Sequence, residues 1–521
     1  MLTGPRHLLR LFAILRCFAR HDALLLLGQT PPSYMGDFAG VQRTLRLFHA
    51  LFGRRRPGLR EGERLAAALS ELGPSFIKLG QVLSVRPDLV GAGIAEDLGR
   101  LRDRLPPFPW DEAKASVEAE LGRPLEELFA GFEPEPVAAA SVAQVHFAET
   151  ADGVPVAVKV LRPGVEAAFA RDLKLFAWLA DAAERRIAGM ARLRPRDVVA
   201  TLNDWVNIEL DLRLEAAASS ELRDNFRDDP DVVVPQVDWQ RTGRRVMTSA
   251  RIAGIPIEDR DALVAAGIDP SAVAARVIRV FLKQALRDGY FHADMHHGNL
   301  FVAPDGRIEL VDFGIMGRLD IRTRRFMAEM LGAFLTGNWR RAAEVHFEAG
   351  YVPADRDVDS FAQACRSIGE PILDRPVTEI SIGRLLAQLF QITETFGMRT
   401  QPHLLLLQKT MVTVEGVARS LDPQINFWDV ARPVIEDWAR ENMGPQARVR
   451  EAAGNLADFA RRLPQIASGL EALAAAVHAD GLRISDDSLA AFTRAQKRAR
   501  RPLLWVLWAI AALLAAGLLL D

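Results

Sequence analysis

Phe291-His292-Ala293-Asp294-Met295-His296-His297-Gly298-Asn299, with Asp312-Phe313-Gly314 following one strand later, is the stretch on which the reading of this chain turns. Phosphoryl transfer needs a carboxylate near the attacking hydroxyl or water, and oxygen ligands that hold Mg²⁺ against the phosphates. Asp294 has the position for the first task, Asn299 and Asp312 for the second. Strands are expected at 300–302 and 308–311, joined by a turn at 304–306. Asn299 then precedes one strand and Asp312 follows the next, so their oxygens face one cleft. An isolated Asp-Phe-Gly marks a turn; the three elements in this order mark a site. His292, His296 and His297 invite a transition-metal reading, but histidines within one loop also hydrogen-bond locally, and His292 is read as support for the loop backbone.

Upstream, residues 156–160 are apolar and β-branched apart from Ala157 and Lys159, and they form a hairpin with 142–148 across the turn Asp152-Gly153. A lysine on such a strand is costly to bury unless it meets an anion, so Lys159 should face a carboxylate or a phosphate. Lysine is scarce in this chain: seven of 65 basic residues, at positions 78, 114, 159, 174, 283, 409 and 497. Where arginine supplies charge by default, a retained lysine marks a need for a compact ammonium.

Helices are expected at 61–72, from Ser75 to the turn at Arg86-Pro87-Asp88, and at 165–188, 196–225, 270–288, 324–335 and 404–420, with further strands at 232–235 and 245–249. A β-rich lobe followed by a helical lobe is an α+β, two-lobed arrangement. At 521 residues the chain calls for several structural units. They are read as a basic amphipathic segment (1–60), a helical extension (61–135), a small lobe (136–250), a large helical lobe (251–493), a basic juxtamembrane segment (494–501) and a spanning helix (502–520). A formal net charge of −2 gives no argument for nucleic acid. Two cysteines, Cys17 and Cys365, exclude a disulfide framework and fit a reducing compartment.

The two ends point toward lipid. Residues 1–29, apolar but broken by Arg6, Arg10, Arg16 and Arg20, read as an amphipathic helix that either packs on the body of the protein or lies on a membrane surface. Residues 502–520 carry no charge and would reach about 28 Å as a helix, enough to cross a hydrocarbon core. Arg494, Lys497, Arg498, Arg500 and Arg501 precede them. The expectation is a single C-terminal transmembrane helix in a bacterial-type inner membrane, with the catalytic body in the cytoplasm.

From about residue 69 to 320, and more weakly to 421, the chain resembles the UbiB family of atypical kinase-like proteins associated with ubiquinone biosynthesis. The resemblance is carried by Lys78, Gly80 and Gln81 (a K-x-G-Q motif) with Ser84, Arg86, Pro87 and Asp88, and by Ala138-Ala139-Ala140-Ser141, an alanine-rich loop where protein kinases have a glycine-rich one. Glu209, Asp211 and Glu215 match its E-x-D…E helix, beside the F-H-A-D…G-N and D-F-G segments; Met295 and His297 stand where the family usually has prolines. The resemblance implies a two-lobed protein-kinase-like fold with a K-x-G-Q extension, binding ATP and Mg²⁺. Its implied residues are Asp294 for catalysis, Val137, Ala138, Ala139, Ala140, Ser141, Gln144, Lys159 and Glu209 for the nucleotide, and Asn299 and Asp312 for the metal. Glu209 is the expected partner of Lys159, while Lys78, Gly80, Gln81 and Glu215 form a gate folded over the cleft.

Alanines restrict the loop and hold its amides farther from phosphate than glycines would. No A-P-E-like element follows Gly314, which removes the usual platform for a peptide substrate. The implied output is ATP hydrolysis or phosphoryl transfer to something small, beside lipid intermediates of quinone synthesis. The alternative is a nucleotide-gated scaffold or lipid-handling module for quinone-biosynthesis enzymes, and an ordinary protein kinase stands third. Implied partners are ATP, prenylated phenol or quinone precursors, quinone-biosynthesis enzymes, membrane lipid and a second copy of the chain in a homodimer, but not nucleic acid. A flavin-dependent hydroxylase finds no support, because Gly91-Ala92-Gly93 lacks the third glycine and a preceding strand.

Overall fold

The computed structural model describes residues 4–24, 39–53, 58–84, 90–99, 106–186, 195–373, 395–398 and 401–443. The chain begins with helices α1 (Gly4–Arg20), α2 (Ala39–Phe52), α3 (Glu61–Leu72), α4 (Pro74–Ser84) and α5 (Ala92–Leu98). Helix α3 has the limits its sequence signals give. Glu63 reaches back to the Arg60 amide at its start and Gly73, at φ +101°, ends it. Helix α1 turns its apolar side into the protein, where Ile14, Cys17 and Phe18 share a core with Leu65, Leu69 and Phe76. Arg10 fixes it by an ion pair of 2.9 Å to the buried Asp172.

The small lobe follows with α6 (Trp110–Leu121), α7 (Leu125–Leu128), β1 (Phe129–Phe132), β2 (Ala138–Ala139), β3 (Ala143–Thr150), β4 (Pro155–Leu161), α8 (Val165–Arg186), α9 (Pro195–Glu209), α10 (Leu212–Asn225), β5 (Val232–Val233) and β6 (Val246–Ala250). Its antiparallel sheet runs β1-β3-β4-β6, with β2 also beside β3. The register pairs Val145 with Lys159 and Lys159 with Met247, and pairs Gln144 with Val160. Directly opposite residues share a face and neighbours along a strand alternate. Lys159 therefore lies on the face of Leu161 and Met247, which join the α1, α3 and α8 core. Val156, Val158 and Val160 lie on the other face, against Val117, Leu125 and Leu128 of α6 and α7.

Residues 196–225 form two helices where the sequence suggested one. Asp211 leaves helical geometry at φ −125° and its side chain accepts the Arg213 amide, capping α10. That break puts Glu209 at the end of one helix and Glu215 in the first turn of the next.

The large lobe comprises β7 (Ile255–Pro256), α11 (Arg260–Ala265), α12 (Pro270–Leu282), β8 (Tyr290–His292), β9 (Leu300–Val302), β10 (Ile308–Leu310), β11 (Met316–Arg318), α13 (Ile321–Leu335), α14 (Trp339–Glu348), α15 (Val358–Leu373), α16 (Pro402–Leu421) and α17 (Phe427–Met443). Strands β9 and β10 pair antiparallel with Leu300 opposite Leu310. Asn299 and Asp312 thus stand at the same end of that hairpin. Strand β8 pairs with β11, His292 opposite Met316.

The expected C-terminal transmembrane helix, and the inner-membrane location drawn from it, are not supported. Among the described residues no helix is long and apolar enough to cross a membrane. The longest described helix, α8, has 22 residues but carries Asp172, Lys174, Asp181 and Glu184 along its length, and such a helix is stable against a protein core rather than in hydrocarbon. Residues 502–520, whose apolar composition prompted the expectation, lie outside the described residues.

Candidate active site

Strand β4 delivers Lys159 to the cleft, and its ammonium is shared between two carboxylates. It donates to both Glu215 oxygens, at 2.7 and 2.9 Å, and to Asp312 Oδ1 at 3.1 Å. The expected pairing of Lys159 with Glu209 is corrected by this geometry. Glu209 instead receives Lys78, at 2.7 Å, because the break at Asp211 turns the two glutamates toward different lysines. The roles of Glu209 and Glu215 are exchanged relative to the sequence reading.

Charge follows from these contacts. The Lys159 ammonium holds the Asp312 carboxyl well below the usual carboxylate range, with Lys78 contributing from farther away. Burial works against the charge on Lys159, but Asp312 and Glu215 outweigh it and raise the ammonium above its ordinary value. Glu215 is pushed up to about 6, burial prevailing over the attraction of Lys159 and the repulsion of Asp312 and Glu209 adding to it. Asp312 also adopts φ +62°, left-handed backbone that a non-glycine residue seldom takes.

The loop carrying Asp294 is knitted to the β9–β10 hairpin. The Asp294 amide donates to His292 Nδ1 at 3.1 Å, leaving Nε2 to face the Val311 carbonyl, also at 3.1 Å. Asn299 donates its side-chain amide to the Asp294 carbonyl at 3.0 Å, and the Val311 amide donates to the Asn299 carbonyl at 3.1 Å. Phe313 packs its ring 5.6 Å from that of His292. His292 thus supports the loop, as read from the sequence. His296 Nδ1 accepts the Gly298 amide and His297 faces Ser420, so the three histidines are separately engaged and do not converge on one metal.

Above the cleft, the Ala138-Ala139-Ala140 run forms β2 and the turn into β3. Arg162 donates to the Ala140 carbonyl through both Nε (2.9 Å) and Nη2 (2.8 Å), and to the Pro106 carbonyl at 2.8 Å. The loop is therefore clamped from below. Ser141, 1% exposed, has a hydroxyl with no hydrogen-bond partner among the described residues, as does the buried amide oxygen of Gln81. Gly80 is buried in α4 beside Lys78, and Val137 is exposed at the loop's start. Gln144 is a correction: it lies on the sheet face away from Lys159. There its amide oxygen accepts the Phe108 N–H at 2.9 Å and its amide nitrogen meets His146 at 2.9 Å, so it is taken up by structure rather than by nucleotide.

Lys409 and Thr410, on α16, escaped the sequence reading of the site. Thr410 shares its hydroxyl between the Ala293 carbonyl at 3.0 Å and the Leu406 carbonyl of its own helix at 2.9 Å, and Lys409 Nζ lies 3.5 Å from Asp294 Oδ1. The signal was present in the scarcity of lysine, which includes position 409. A second group of ligand-type side chains, Cys17, His21 and Glu71, gathers between α1 and α3. Burial and Glu71 push the Cys17 thiol up to about 11, and Arg20 pairs with Glu71 at 3.0 Å. This group joins the two helices and leaves the cleft untouched.

A family model described as the ABC1 atypical kinase-like domain matches residues 100–346, and one described as the UbiB helical domain matches 365–426. A Marinobacter nauticus protein named probable protein kinase UbiB is 41% identical over 463 residues, covering 88% of this chain and 83% of that protein. The chain belongs to the UbiB family. A relative with the same name from Xanthomonas axonopodis pv. citri is 43% identical over 416 residues, 78% of this chain and 73% of its own. The solved complex of a Mycobacterium tuberculosis protein with erythromycin aligns with a TM-score of 0.51 at 25% identity, covering 76% of this chain and 98% of that one. Within UbiB terms, Lys78, Lys159, Asp294 and Asp312 come from outside the helical-domain match, whereas Lys409 and Thr410 lie inside it.

Proposed function

We propose that this UbiB-family chain binds ATP with Mg²⁺ and either hydrolyses it or transfers its phosphoryl group to a small acceptor, in support of ubiquinone biosynthesis. The observation that carries the reading is Lys159 held between Glu215 and Asp312. An ammonium fixed by one carboxylate and shared with another at the mouth of a cleft is the arrangement that meets the nucleotide phosphates in kinase-like sites. Asn299 and Asp312 would hold Mg²⁺, which supplies neutralisation of phosphate charge. The donors fit that ion: the Asn299 amide nitrogen is occupied by the Asp294 carbonyl, leaving the oxygen as ligand, and Asp312 is kept ionised by Lys159. An oxygen-only set suits a hard cation over zinc. The unpartnered Ser141 hydroxyl and Gln81 oxygen are further polar atoms that a nucleotide or its waters would satisfy. Asp294 would take the proton from the attacking hydroxyl or water.

A small acceptor is favoured over a peptide by α4, whose Lys78 is buried against Glu209 and close enough to act on Asp312. Turnover of ATP by the full-length chain with Mg²⁺, compared with Asp312→Asn, tests the reading; undiminished turnover in the variant would sink it. Nucleotide binding without turnover in the wild type would favour the scaffold alternative. Stimulation by a prenylated phenol, absent with its unprenylated counterpart, is the expected sign of a quinone-pathway acceptor.

A further inference from the structure

The loop from Asp294 to Asn299 contains no lysine or arginine, and its own nearest basic side chain, His296, stands 3.7 Å from the Asp294 carboxylate. Helix α16 supplies a lysine. It is fixed along the loop at two points: Thr410 Oγ1 donates to the Ala293 carbonyl, and Ser420, ten residues or about 15 Å farther along the helix, meets His297 Nε2 at 2.8 Å. One residue ahead of the first anchor, Lys409 faces the Asp294 carboxylate at 3.5 Å, with side-chain exposures of 38% and 29%. As an ion pair this contact is long and solvated, worth about 0–1 kcal/mol, and the helix is already held without it. A chain that prefers arginine nonetheless has lysine here.

We propose that Lys409 is a catalytic residue, the large-lobe ammonium that contacts the phosphoryl group in flight opposite Lys159. The inference rests on the kinase reading above. In the step, the acceptor oxygen bonds to phosphorus as the bond to the β-phosphate oxygen breaks. The electron pair leaves on ADP, and the acceptor's proton passes to Asp294. Negative charge spreads over the equatorial oxygens, where a positioned ammonium lowers the barrier. The helical domain then completes the chemistry instead of only buttressing it.

The test compares full-length wild type with Lys409→Ala, Lys409→Gln and Lys409→Arg in two measurements: turnover of Mg-ATP, and affinity for Mg-ADP with and without aluminium fluoride, a mimic of the transferring group. The expected result is a kcat lower by about 10²- to 10³-fold in Lys409→Ala and Lys409→Gln, with an equal loss of the preference for the fluoride complex. Affinity for Mg-ADP alone and the thermal midpoint should not change, and Lys409→Arg should restore part of both losses. Wild-type preference for the fluoride complex that persists in Lys409→Ala and Lys409→Gln overturns the role of Lys409 alone. A wild type that binds Mg-ADP but neither prefers the fluoride complex nor turns ATP over overturns the kinase reading and this inference together.

Discussion

Lys78 and Glu209 close a 2.7 Å ion pair with side-chain exposures of 6% and 19%, tying the K-x-G-Q helix to the last residue of α9. A buried pair broken on one side leaves an uncompensated charge, whereas replacement of both partners by apolar groups is often tolerated. Lys78→Ala should therefore destabilise the chain by about 3 kcal/mol, and Lys78→Met combined with Glu209→Leu should recover most of that. Urea unfolding of the two variants checks it; equal losses in both would mean that the pair is not what holds α4 to α9.

Asp312 combines a carboxylate paired with Lys159 with left-handed backbone at φ +62°. Asparagine tolerates that conformation and a β-branched residue does not. Asp312→Asn should fold with a near-native thermal midpoint while losing turnover by at least about 10²-fold. Asp312→Val should lose turnover and also about 1–3 kcal/mol of stability. Equal midpoints for the two variants would remove the backbone argument.

Glu215 titrates at about 6 in the folded chain against an ordinary 4.5. Between those values the folded state holds more proton than the unfolded chain, so this carboxyl makes stability fall as pH rises through the window, by on the order of 2 kcal/mol. Asp312 has the opposite sign: its lowered carboxyl adds stability above its ordinary value, and that is lost as pH falls below it. Denaturation midpoints from pH 4.5 to 6.5 should show the Glu215 component in the wild type and lack it in Glu215→Gln. Turnover should fall on the acid side of about pH 6, where Lys159 loses the charge of Glu215 and is left with Asp312 as its anionic partner.

Gln144 belongs to the architecture. Gln144→Ala leaves the Phe108 amide without its acceptor and should cost about 1–3 kcal/mol with no change in Mg-ADP affinity. Calorimetric titration against thermal denaturation separates the two effects, and weakened nucleotide binding at full stability would restore Gln144 to the site.

Local signals made the elements readable, and long-range pairing was out of their reach. Helix 61–72 announced itself by the Gly73-Pro74 step that closes it, and the loop from Asp294 to Asn299 by residue types that have few other uses at that spacing. Lys159 was visible because an ammonium on an apolar strand demands an anion. Its anion was misassigned because the helix break at Asp211 contains neither glycine nor proline; only the side-chain cap on Arg213 reveals it. Gln144 entered the site through the family resemblance, whereas strand alternation from Lys159 through the paired register puts it on the opposite face. The transmembrane tail was a statement about composition, and no described helix has that character. Lys409 could be noticed as an unusual lysine, but nothing local links it to a loop 115 residues earlier.

The hydrogen bond from Thr410 to Ala293 spans 117 residues, and it gives synthesis an order. A ribosome moving from the N-terminus has released every motif legible in this sequence once Gly314 emerges, yet the strut that steadies the loop of Asp294 is still to be made. The nascent chain passes through a long interval in which it holds the parts of a kinase-like centre without its brace. Truncation just ahead of α16 would preserve that immature condition permanently.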